Sequence, residues 1–326
     1  MGEHCEGAVF DIQSLGIAVA LRTYGMQKTL QKLTTCLWFD SNAEEAMKFY
    51  ASVFENAEIG ALSYYGEAGQ EVHKRPKDSV MTVQLTIDDQ ELLGMNGGPV
   101  FKINPSISFY VTCKTEAEID NLYEKLSDGG FVMMALSKYP FSERYAWVSD
   151  KFGVSWQLNL TEQTSQKISP CLMFTGEQQG RAEEAIKFYT AIFKNSSIDY
   201  IVKYEEGEPA PGIVKHAAFK LEGQQFIAMD SPIEHPFGFT PATSFVVRCK
   251  TQNEVDEMWD KLQKDGGSPS QCGWLTDKFG VSWQVVPANL EHMVTDKDKA
   301  KREKVLAAIM KMHKLEIAEL EKAYNS

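Results

Sequence analysis

The chain writes one pattern twice, and that repeat restricts its fold more than any single motif does. Cys36-Leu-Trp-Phe followed by Ala43-Glu-Glu-Ala-Met-Lys-Phe-Tyr50 returns as Cys171-Leu-Met-Phe followed by Ala182-Glu-Glu-Ala-Ile-Lys-Phe-Tyr189. Glu91-Leu-Leu-Gly-Met-Asn96 is echoed by Gln225-Phe-Ile-Ala-Met-Asp230, and Ser108–Thr115 by Ser244–Thr251. Asp150-Lys-Phe-Gly-Val-Ser-Trp-Gln157 recurs letter for letter as Asp277–Gln284. Two duplicated domains follow, over 31–161 and 166–290, joined by the polar stretch Thr161–Lys167. The length of 326 residues suits this, since each half is long enough for its own core.

Each half has the same internal order. A short apolar strand leads into a helix, opened in the first half by Ser41-Asn-Ala-Glu44 as a capping box. Ala46, Phe49, Tyr50, Val53 and Phe54 then recur at helical spacing. Period-two strands follow at Val80–Ile87 and Val214–Leu221. A second strand–helix unit begins at Ile107, its helix opened by Thr115–Glu118, with Thr251–Glu254 as the counterpart. The class is α+β: each half is two βαβββ modules, helices on one side of a curved mixed sheet and a cavity on the other.

The 33 basic and 45 acidic side chains leave a formal charge of −12, which disfavours nucleic acid and anionic membranes as partners. No apolar run approaches the roughly 18 residues of a spanning helix. Cys5, Cys36, Cys113, Cys171, Cys249 and Cys272 contain no C-x-x-C pair, and most sit in strand-like apolar runs. A reducing, cytoplasmic setting is expected. Residues 1–30 read as a loosely ordered extension with acidic residues before Arg22, unlike a targeting peptide, and Met26 offers a second start.

Asn42-Ala-Glu-Glu-Ala-Met-Lys-Phe-Tyr50, Val214-Lys-His-Ala-Ala-Phe219, Gln271-Cys-Gly-Trp274 and the repeated octapeptide together resemble a known family. It is the PhnB-like, 3-demethylubiquinone-9 3-methyltransferase-like branch of the vicinal-oxygen-chelate (glyoxalase/bleomycin-resistance/dioxygenase) superfamily. The resemblance covers both halves and implies tandem glyoxalase-like domains curled around ligand cavities. Enzymes of this superfamily hold a divalent metal with His and Glu at strand ends. Carried over by position, those places fall at Thr35, Ser108 and Gln157 in the first half and Pro170, Ser244 and Gln284 in the second. Such residues are poor ligands for a hard cation, so no cofactor is expected, with a divalent metal left as the alternative.

Strand alternation turns Met81, Val83, Leu85 and Ile87 toward the helices and Val80, Thr82, Gln84 and Thr86 toward the cavity. In the matching strand Val214, His216 and Ala218 face the cavity. His216 stands where the first half has Thr82, Asp230 where it has Asn96, and Cys272 where Ser142–Tyr145 has no cysteine. Titratable groups therefore collect in the second half. The expected site is a small-molecule cavity there, lined by His216, Asp230, Ser244, Trp274 and Gln284, with His216 and Cys272 as candidate catalytic groups. Thr82, Ser108 and Gln157 line the first-half counterpart. Trp156 and Trp283 share faces with valines and belong to the core. Absence of a Gly-x-Gly-x-x-Gly cradle weighs against S-adenosylmethionine and dinucleotides.

From 296 to 326 the chain reads as one amphipathic helix, with Leu306, Met310, His313, Ile317, Leu320 and Tyr324 forming a stripe. That stripe packs on its own chain or supports a homodimer, as do sheet edges. Three functions stay open. The first is a protein binding a small organic ligand, the second a metal-dependent lyase, isomerase or dioxygenase or the methyltransferase of the family label, and the third a non-catalytic structural or regulatory subunit.

Overall fold

The computed structural model describes residues 31–162 and 166–326, so the expected N-terminal extension, Cys5 and Met26 lie outside the described residues. Four βαβββ modules appear in chain order. Module 1 is β1 (Leu33–Phe39), α1 (Ala43–Val53), β2 (Ala57–Tyr64), β3 (Val80–Ile87) and β4 (Gln90–Asn96). Module 2 is β5 (Ile107–Cys113), α2 (Glu116–Ser127), β6 (Phe131–Tyr139), β7 (Ser142–Ser149) and β8 (Ser155–Leu160). Module 3 is β9 (Ile168–Phe174), α3 (Ala182–Ile192), β10 (Ser197–Lys203), β11 (Val214–Leu221) and β12 (Gln224–Asp230). Module 4 is β13 (Thr243–Cys249), α4 (Gln252–Gln263), β14 (Ser268–Pro269), β15 (Trp274–Thr276) and β16 (Ser282–Pro287). Three helices close the chain: α5 (Leu290–Val294), α6 (Lys299–Ile309) and α7 (Ile317–Asn325).

The modules pair across the repeats. Sheet I runs β14-β15-β16-β13-β1-β4-β3-β2 and so joins modules 4 and 1; sheet II runs β10-β11-β12-β9-β5-β8-β7-β6 and joins modules 3 and 2. The joints are antiparallel, with Cys36 opposite Ser244 and Ser108 opposite Cys171. The α+β class and the modules stand as read from sequence, but neither half builds a sheet alone. What each half does own is a core. Leu37, Met47, Tyr50, Leu85, Val111, Ile119 and Trp156 share one apolar cluster drawn almost wholly from the first repeat, and Ala185, Tyr189, Phe219, Phe245, Trp259 and Trp283 share the other. Cores follow the repeats and sheets cross them.

Alternation holds over Val83, Leu85 and Ile87, which are buried against helices, as are Ala217, Phe219 and Leu221. It fails at the start of β3, where Val80 rather than Met81 packs on the helix-side core beside a register shift between Ser63 and Tyr64. Val214 departs from it and joins the helix-side core, beside a register shift between Val202 and Lys203. Helices α2 and α4 begin on Thr115 and Thr251, whose hydroxyls accept from the amides of Glu118 and Glu254. The capping box expected at Ser41–Glu44 does not form. Asn42 is the N-cap without a side-chain bond, and the Ala43 amide donates instead to Asn96 Oδ1 from β4.

The C-terminal stripe is not one helix. Helix α6 ends at Ile309, and α7 starts at Ile317. No Gly or Pro marks the break. The carbonyls of Met312 and His313 accept from the amides of Cys272 and Gly273, both at 2.7 Å, which takes them out of helical register. No helix among the described residues is long and apolar enough to cross a membrane.

Candidate functional site

The octapeptide shared by the repeats is explained by local structure. Asp150 Oδ1 accepts from the amides of Phe152 and Val154, and its Oδ2 from Trp156 Nε1 at 2.8 Å. Asp277 repeats this with Phe279, Val281 and Trp283, and also accepts from Tyr189 Oη at 2.7 Å. Both carboxyls are pushed up by burial. The aspartate thus fixes the turn before the last strand and anchors the core tryptophan, leaving the final glutamine on the opposite, concave face.

That glutamine organises each concave face. On sheet II, Gln157 Nε2 donates to Ser108 Oγ at 2.8 Å and to Cys171 Sγ at 3.4 Å, while its Oε1 accepts from Tyr145 Oη at 2.7 Å. On sheet I, Gln284 Nε2 donates to Ser244 Oγ at 3.0 Å, with Cys36 beside them. Burial pushes Cys171 up to about 12 and Cys36 up to about 11, so both thiols are protonated and poor nucleophiles. Each group contains residues of both repeats, because the sheets do.

This redistributes the residues singled out in the sequence. His216 shares sheet II with Ser108 and Gln157; its Nδ1 lies 3.0 Å from Tyr200 Oη, and its ring stacks on Tyr200 with Tyr110 on another side. Burial lowers its affinity for a proton, so the imidazole is neutral at pH 7. Cys272, Trp274, Ser244 and Gln284 lie on sheet I, so the expected grouping of His216 with them in a second-half cavity is not formed. Thr82 is also on sheet I, paired with Ser63 Oγ at 2.6 Å. Trp274 meets Trp38 edge-on at 6.1 Å. Cys272 adopts φ of +60° and rests on Met310 Sδ at 3.8 Å.

Asp230 is not a cavity group. Its carboxylate accepts from the amides of Gly180, Ala182 and Val214 and so closes the start of α3, the task Asn96 performs for α1. Thr35 and Pro170 pair with Phe245 and Phe109 across the joints and line a small gap between the two sheets, away from either concave face. The sequence reading missed Tyr110, Tyr145, Tyr200 and the polar role of Cys36 and Cys171. Both cysteines occupy the same repeat position, and strand parity alone turns them from the core.

A divalent metal does not fit either face. Ser108, Gln157 and Cys171, like Ser244, Gln284 and Cys36, are neutral groups that satisfy one another, with no carboxylate among them. Among the described residues no cluster of three His, Cys, Asp or Glu side chains is placed to hold a metal ion.

The comparisons with known proteins agree with this architecture. The profile of the family described as 3-demethylubiquinone-9 3-methyltransferase matches twice, over residues 31–159 and 166–286. A Bacillus cereus structure described as a 3-demethylubiquinone-9 3-methyltransferase, PhnB protein, is 42% identical. It is covered in full and spans 40% of this chain, with a TM-score of 0.37. Glyoxalase I from Zea mays is 12% identical with a TM-score of 0.53, over 80% of this chain and 96% of that one, a likeness of fold alone. No protein with a curated function matches the chain.

Proposed function

The chain belongs to the 3-demethylubiquinone-9 3-methyltransferase family, the PhnB-like branch with a glyoxalase fold, and from that premise we propose that it binds a neutral, planar small molecule on the concave face of sheet II. The observation that carries this reading is the contrast between the faces. Sheet I is packed against the C-terminal helices through Val286, while sheet II has no such cover among the described residues. Tyr200 of that sheet is 45% exposed and Phe141 65%. The chemistry argues for a neutral ligand. His216 and Tyr200 offer hydrogen bonds without charge at this face, and the buried Tyr145, Gln157, Ser108 and Cys171 behind them are neutral and bonded to one another. An ion placed there would lose its hydration without a counter-charge. Tyr110, Tyr200 and His216 supply an aromatic wall for a flat ring.

The test is titration with neutral aromatics, beginning with N-phenyl-1-naphthylamine, read by fluorescence and thermal shift. A ligand at 100 times its Kd stabilises the fold by about 2.7 kcal/mol. His216→Ala or Gln157→Ala should weaken binding about tenfold, and Gln284→Ala should leave it within twofold. Binding indifferent to all three places the ligand elsewhere. Transfer of a methyl group from S-adenosylmethionine to a demethylated ubiquinol would instead support the activity in the family's description.

A further inference from the structure

Sheet I carries the same polar group as sheet II, but the chain has laid its own C-terminal segment over it. Module 4 is abbreviated there: β14 and β15 have two and three residues, against nine and eight in β6 and β7. Residues 310–316 stand in for the missing hairpin, since the Cys272 and Gly273 amides donate to Met312 and His313. A side chain at position 273 would meet Leu315 at 3.2 Å, and glycine permits both that approach and a φ of +83°. From there α6 reaches the opposite arm of the sheet. Met310 lies against Gly69, the Glu303 carboxylate accepts from the amides of Glu67 and Ala68, and Lys299 Nζ pairs with Asp78 at 2.9 Å. Val286, which shares a face with Gln284, packs against the cluster formed by Met293, Val305, Leu315 and Leu320. Glu291 of α5 reaches Arg248 of β13 at 3.5 Å.

We propose that sheet I is a second ligand face of the same chemistry, held shut by residues 290–325 acting as an intramolecular strap. The strap is anchored at both arms of the sheet by different means. At the 65–78 side the anchors are Met310 against Gly69, Glu303 on loop amides and an exposed ion pair, the last a contact of the kind that contributes little in water. At the Cys272 side they are paired backbone bonds and buried Leu315. Release therefore starts at the α6 end. The ligand chemistry rests on the proposed function of sheet II; the strap does not.

Native alkylation with iodoacetamide, read cysteine by cysteine by mass spectrometry, tests the strap. Cys272, half-buried against Met310 of the strap, reports sheet I; Cys171 reports sheet II, and Cys113 reports the core. The double variant Lys299→Ala, Glu303→Ala changes only surface anchors, and Leu315→Asp removes the buried one. Labelling of Cys272 should rise tenfold or more in both, with Cys171 and Cys113 unchanged. An unchanged Cys272 in the folded variants, or all three cysteines rising together, overturns the strap. N-phenyl-1-naphthylamine should bind once per unaltered chain and twice per Leu315→Asp chain. Faster Cys272 labelling without a second equivalent overturns the shared chemistry. Binding to neither chain removes the ligand role of both sheets, while the alkylation result still decides the strap.

Discussion

Gln157 Nε2 lies 3.4 Å from Cys171 Sγ, an amide of the first repeat donating to a thiol of the second. The contact exists because β5 and β9 pair antiparallel while β5 and β8 pair parallel, which puts residues from three strands and two repeats on one face. In a duplicated chain whose halves each built their own sheet, this pair would be distant. The buried polar groups thus sit at the seam where the repeats are knitted together, and they link stability to the candidate site.

Gln157→Leu should destabilise the protein by about 2 kcal/mol in urea denaturation, because the buried Ser108 and Tyr145 hydroxyls lose their partner. Gln284→Leu should cost less, since among the described residues Ser244 is the one hydroxyl bonded to that amide. Equal costs would mean that the Tyr145 bond contributes nothing.

The modules, their helix-side faces and the α2 and α4 caps could be read from sequence because they depend on local periodicity. The choice of partner could not. β5 and β13 share Ser-Phe-x-Val and a final Cys, so β1 meets equivalent faces in either copy and the pattern is degenerate. That ambiguity sent His216 to the wrong neighbours. The carboxylate of Asp230 was misplaced for a related reason: its bonds run to the start of α3, fifty residues away in sequence. The break between α6 and α7 had no local signal either, because the amides that cause it belong to the hairpin at Cys272.

Asp277→Asn should lose about 3 kcal/mol despite removing a buried charge, since an amide nitrogen would then face the donors Trp283 Nε1 and Tyr189 Oη. The pH dependence has a definite sign. Burial raises the folded carboxyl above its ordinary 3.8, so the folded state binds the proton more tightly. The stability this contributes is fully present below 3.8 and is lost as pH rises through the folded value. The advantage of wild type over Asp277→Asn should therefore be largest in acid and shrink toward neutrality. An advantage that grows with pH would contradict the assignment.

Cys272→Ser and Trp274→Phe should leave probe binding within twofold, because Trp274 opens β15 of the covered sheet I and Cys272 lies in the turn before it, while Tyr200 and His216 belong to sheet II. A tenfold loss in either variant, measured by the same fluorescence titration, would return the site to the module 4 face and displace sheet II as the binding surface.

His216 gives the last prediction its pH window. Burial lowers its imidazole below the ordinary 6.5, and the groups around it are the neutral Tyr110 and Tyr200 rings, so nothing nearby compensates a positive charge. A base whose folded value is depressed contributes stability that is fully present above 6.5 and is lost as pH falls through the folded value. Nuclear magnetic resonance titration of the imidazole should place its midpoint below 6.5, and probe affinity should fall over the same interval. His216→Phe keeps a ring against Tyr200 but removes both the proton and the bond to its hydroxyl. That variant should bind the probe with an affinity that no longer changes between pH 5 and 7, at a cost of about 1 kcal/mol for the lost hydrogen bond. An acid-dependent loss that persists in His216→Phe would assign the titration to another group.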